Sequence, residues 1–186
     1  MNETTEGVHR QRGDVDRAVR AVRRASIVAL VSGVTLTALA GASALFGMLH
    51  PLSAGFLISI AVVANGVYEW RWSKRLAALD ARAPLRLAWN QCALGLEIAV
   101  YSAWQYGTFD AEAIHRLLAR PLVRPVLGML EPEVGEMLLE LLPTALRLFY
   151  GIVGVVALCG CGATAWYYRS RLAAVRVVRS APPRLP

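Results

Sequence analysis

LRLAWNQCALGLEIAVYSAWQY, residues Leu85 to Tyr106, is a 22-residue, largely apolar run with Glu97 near its middle. As a helix rising about 1.5 Å per residue it would cover roughly 33 Å, close to the thickness of a hydrocarbon core. Asn90, Glu97, Tyr101 and Trp104 are spaced by seven, four and three, which puts them on one helical face. A carboxylate at that depth is costly unless it faces protein or water, so the other helices are expected to pack against this stripe.

The composition of the remaining chain agrees with a membrane reading. Of 186 residues 56% are hydrophobic and 18% charged, and the charges gather in blocks between long apolar runs. Such runs read as transmembrane helices rather than as the core of a soluble domain. The formal charge of +7 sits beside the spans, where positive-inside topology explains it. No nucleic-acid-binding motif accompanies it, so no nucleic-acid partner is expected. Nineteen of the 20 basic residues are arginine, which suggests a GC-rich bacterial genome, and with the apolar runs the expected location is a bacterial inner membrane. Cys92, Cys159 and Cys161 all fall inside expected spans, so no disulfide framework is implied.

Residues 1–25 form a polar, arginine-rich segment, expected to be cytoplasmic. From Asp14, Val15, Val19 and Val22 repeat on one side with Arg17, Arg20 and Arg24 away from it, the pattern of a juxtamembrane helix lying on anionic headgroups. A docking site for a cytoplasmic partner is the other reading of the same pattern. Residues 26–106 hold the first three spans. Ser26 to Leu49 is the first; twin arginines before it and ALAGASA near its end resemble an export signal, but some 24 apolar residues favour a retained anchor. Gly33, Thr37, Gly41 and Ala44 make a small-residue stripe on which another helix could pack closely. His50-Pro51 is a tight turn, and Leu52 to about Tyr68 is the second span. It is expected to continue as helix into a cytoplasmic hairpin, residues 70–84, with Trp70 and Trp72 at the interface and Arg71, Lys74 and Arg75 among headgroups. Pro84 suits the first turn of the third helix.

Residues 107–143 form an external segment. Amphipathic interfacial helices are expected near Asp110–Arg120 and Glu133–Leu142, on either side of the proline-marked PLVRPVLGML. Residues 144–168 are the fourth span, opened by Pro143 and closed by an aromatic belt of Trp166, Tyr167 and Tyr168. Residues 169–186, with five arginines, are expected to be a mostly disordered basic tail. The amino terminus, the hairpin with the neighbouring Arg86, and the tail hold 16 of the 20 basic residues, so both termini should be cytoplasmic. The expected fold is therefore all-α: a bundle of four transmembrane helices with amphipathic helices in the third connection.

Folding the second and third helices back on each other near Ala81–Ala83 brings Asn65, Glu69, Asn90, Glu97 and Tyr101 within reach of one another. Such a cluster suits a proton relay or cation site. The plainer reading is a protonated glutamate whose hydrogen bond holds two helices together. Arg147 is the obvious counter-charge for Glu97 but lies about 9 Å nearer the external end, so snorkelling suits it better. Glu112 and His115 make an E-x-x-H pair without the second pair and further carboxylates a di-iron bundle needs. Cys159-Gly160-Cys161-Gly162 looks like a metal motif, yet it continues Gly151, Gly154 and Ala157 as a packing stripe ending at Cys161, which explains it without a metal. No catalytic set, metal or cofactor is implied. The expectation is a non-enzymatic membrane protein acting through helix packing with a membrane-protein partner or its own copies. A small oligomeric proton- or cation-coupled transporter or channel using Glu97 is the alternative.

Overall fold

The structure, a computed structural model, describes residues 3–48, 53–108 and 132–181, with side chains from Arg12 onward except at 132, 135, 136, 138 and 139. The described residues form four α-helices and no strand. Helix α1 is Glu3–Gly47, α2 Ala54–Ala77, α3 Ala83–Thr108 and α4 Pro132–Ser180. Two of them are long and apolar enough to cross a membrane, within Arg12–Gly47 and Glu140–Ser180. The expected helix at Asp110–Arg120, the proline-marked stretch, the Glu112–His115 pair and the His50–Pro51 turn lie outside the described residues.

Three boundaries differ from the sequence reading. The juxtamembrane segment and the first span are one helix, because nothing between Asp14 and Ser26 breaks it and its Arg, Ala and Val residues all tolerate helix. Glu133–Leu142 is helical but not separate: it runs into the fourth span with Pro143 inside the helix, where it withholds one backbone donor. The tail is helical as far as Ser180 rather than disordered. Its helix has an apolar side, on which Val175 is fully buried and Ala174 packs against the core.

The chain divides into two compact units. The first comprises Met1–Leu94 and Gly160–Pro186, and the second Gly95–Cys159. In the first, a core of Val22, Ala25, Ala29, Leu76, Ala83, Leu87, Ala88, Ala165, Tyr168 and Val175 draws on all four helices. Its closest approach is between α1 and α2. A Cβ on Gly33 would stand 2.7 Å from the carbonyl oxygen of Gly66 and 2.8 Å from the amide nitrogen of Trp70. A Cβ on Gly66 would meet Thr37 Oγ1 at 2.5 Å and the Gly33 oxygen at 2.8 Å. Backbone meets backbone here, and only glycine fits on either side.

The α2–α3 hairpin closes through local hydrogen bonds. The amide of Asp80 donates to the Arg75 carbonyl and that of Leu79 to Leu76, both at 3.0 Å, a Schellman ending for α2. Leu79 occupies the left-handed position, φ 61°, that glycine usually takes. Asp80 Oδ1 then accepts from the Arg82 amide at 2.9 Å and its carbonyl from the Ala83 amide at 3.1 Å, leading into α3 with Pro84 buried in its first turn.

In the second unit Gly154 lies against Ser102, where an added Cβ would be 3.3 Å from the serine Cβ, and Gly151 faces the Tyr106 ring at 3.8 Å. The rings of Tyr101 and Tyr150 meet edge to face at 6.2 Å.

Candidate functional site

Within the first unit the buried polar groups converge on Glu69. Its carboxylate is fully buried and accepts three side-chain hydrogen bonds, each from a different helix. Tyr168 of α4 donates its hydroxyl to Oε1 at 2.8 Å. Gln91 of α3 donates Nε2 to the same oxygen at 2.9 Å. Ser32 of α1 donates to Oε2 at 3.1 Å. Glu69 itself stands on α2, so one side chain bonds to every other helix of the unit. A buried carboxyl group without partners would be strongly unfavourable, and three donors meet that cost.

One turn away on α2, Asn65 donates Nδ2 to the Ala61 carbonyl at 2.9 Å. Asn90 donates Nδ2 to the Asn65 carbonyl at 3.2 Å, a second link between α2 and α3. Of the five polar residues expected together, the first unit thus gathers Asn65, Glu69 and Asn90. Glu97 and Tyr101 belong to the second unit, where both are half-buried. The residue that meets Asn65 is Asn90, about two helical turns ahead of Glu97.

Tyr101 has its own neighbours. Gln105 donates Nε2 to the Tyr101 hydroxyl at 2.8 Å and reaches the Tyr150 hydroxyl at 3.5 Å. Beside them, Ser102 is buried with no hydrogen-bond partner for its hydroxyl among the described residues.

The small-residue stripes divide in the same way. Gly33 and Thr37 sit at the α1–α2 contact, and Thr37 returns its hydroxyl to the Gly33 carbonyl at 2.7 Å. Gly41 has nothing within 4 Å of an added Cβ, and Ala44 is half-buried. Gly151 and Gly154 pack as described, while Ala157 and Cys161 are half-buried.

Four residues of this site escaped the sequence reading. Gln91 lies off the face defined by Asn90, Glu97 and Tyr101, Ser32 is one small residue in an apolar run, and Tyr168 reads as part of an interfacial belt. Gly66, the partner of Gly33, carries no side chain to mark it. The available signal was Gln91, an uncharged polar side chain inside a span, which needs a partner wherever it is buried.

Among the described residues no group of three or more His, Cys, Asp or Glu could hold a metal ion. A cavity of about 410 Å³ lies elsewhere in the first unit, lined by Asp14, Val15, Ala18, Val177, Ser180 and Ala181. Comparison of the chain with protein-family models, curated proteins and solved structures finds no match.

Proposed function

We propose that the chain is an integral protein of the bacterial inner membrane with four transmembrane helices and both termini cytoplasmic. It acts without catalysis, through helix packing and association with another membrane protein or its own copies. The observation that carries this reading is the inversion of polarity. Large apolar side chains stand outward, including Leu39, Phe46, Leu57, Leu96, Val100, Leu148, Ile152 and Val155, each more than half exposed. The polar side chains of Glu69, Asn90 and Gln91 are turned inward. In water that arrangement would expose far more contiguous apolar surface than a soluble monomer carries; in lipid it is the expected one.

Helices α2 and α3, at about 36 and 39 Å, are also long enough to cross a hydrocarbon core. Glu69 would then lie near the cytoplasmic boundary, one residue before Trp70. Its role in this account is structural: it fixes the mutual register of four helices whose apolar surfaces alone do not distinguish one another from lipid.

Thiol accessibility tests the topology. In a variant whose native cysteines are replaced, a cysteine at Thr5 or Arg179 should be protected from an impermeant reagent in intact cells, and one at Glu131 labelled. Labelling at both termini would overturn the orientation, and recovery of the protein in the soluble fraction would overturn the membrane reading.

A further inference from the structure

We propose that the α2–α3 hairpin is a binding site for an anionic phospholipid headgroup, with Arg75 and Arg86 holding the lipid phosphate above Trp72. The proposal rests on the membrane reading given above. The guanidinium carbon of Arg75 lies 4.6 Å from the centroid of the Trp72 ring, and that of Arg86, from the other arm of the hairpin, lies 6.0 Å from the same centroid. Trp72 is itself anchored: it packs against the buried core, and the Tyr68 ring lies 5.8 Å away.

Arg75 is close enough to stack on the indole, which occupies the face of its guanidinium and leaves its in-plane N–H donors unspent, and Arg86 stands at the outer limit of such an interaction with its donors equally available. Both arginines are exposed, and among the described residues neither is paired with a carboxylate. The acidic residue of the turn, Asp80, is committed through Oδ1 to the Arg82 amide. Two like charges drawn to one ring repel each other, and a phosphate accepting from both would relieve that repulsion while meeting the forked donors in the geometry that suits them. Lys74, over the Trp70 ring at 4.2 Å, and the positive end of α3 add to the attraction. The two tryptophans set the site at headgroup depth, so the phosphodiester of a lipid is the source favoured over free phosphate.

The test is native mass spectrometry of the detergent-solubilised protein exposed to equimolar phosphatidylglycerol and phosphatidylcholine. The intact protein should retain phosphatidylglycerol preferentially. Arg75→Gln or Arg86→Gln should each reduce that preference about fivefold, and the double variant by more than about tenfold. The double variant Arg176→Gln/Arg179→Gln, which removes the same charge from α4, should keep it. Equal loss in both double variants, absence of preference in the intact protein, or displacement of the lipid by inorganic phosphate would each overturn the proposal. A chain that stays soluble without detergent would instead overturn the membrane reading beneath it.

Discussion

The hydroxyl of Tyr168 donates to the carboxylate of Glu69 at 2.8 Å, joining two fully buried side chains that stand 99 positions apart in the sequence. Gln91 shares the same oxygen, and Ser32 takes the other. The contact therefore belongs to a set in which each helix of the first unit contributes one group. Its consequence is specificity, since a helix displaced by one turn would leave a buried donor unmet.

Replacing Glu69 should separate hydrogen bonding from charge. Glu69→Gln retains an oxygen for Tyr168 and Gln91, and its amide can donate to Ser32, so unfolding in bicelles should shift by less than about 1 kcal/mol. Glu69→Leu strands three donors and should cost about 2–4 kcal/mol. Equal effects of the two changes would mean that the network does not hold the helices.

Glycine positions in α1 offer a sharper contrast. Gly33→Ala drives a methyl into the backbone of Gly66 and Trp70, and should destabilise by about 1–3 kcal/mol. Gly41→Ala meets nothing, so stability should hold within about 0.5 kcal/mol or rise with the better helix propensity of alanine. Similar losses at both sites would show that the helix crossing is misplaced.

At the hairpin, Leu79 adopts a backbone conformation unsuited to β-branched side chains. Leu79→Gly removes that strain along with some apolar contact, and should leave stability nearly unchanged. Leu79→Val, although nearer in size, should cost about 1–2 kcal/mol more than the glycine variant. Thermal unfolding of the two variants in the same detergent decides between backbone and side-chain control of this turn.

Much of the helical architecture is legible in the sequence. Apolar runs between arginine blocks mark where helices lie, and Pro84 and the turn before it mark the hairpin. Helix ends are less legible. Arg169 to Ser180 reads as a charged tail, because the sequence does not show that Val175 finds a core formed with α1, α2 and α3. The polar site is legible in part. Asn65, Glu69 and Asn90 stand out as polar residues in apolar runs, and Asn90 does bond to the Asn65 carbonyl, one turn along α2 from Glu69. Glu97 draws attention for the same reason, but the register of a hairpin depends on how much length its turn consumes. In this chain Asn90, seven residues into α3, bonds to the carbonyl of Asn65, twelve residues before the end of α2. Tyr168 could not be assigned from its neighbours alone, since an aromatic residue at a span end fits an interfacial belt as well as a buried donor.

A double-mutant cycle between Tyr168→Phe and Glu69→Leu, read as reversible unfolding in bicelles, tests most directly whether Glu69 ties the helices together. Tyr168→Phe alone should destabilise, and in the Glu69→Leu background it should have no further cost, because the hydroxyl no longer has its acceptor. The coupling should fall at about 0.6–1.7 kcal/mol, from the average to the largest value that double-mutant cycles give for interhelical hydrogen bonds in a membrane protein. Additive effects, with coupling within about 0.3 kcal/mol of zero, would contradict the account.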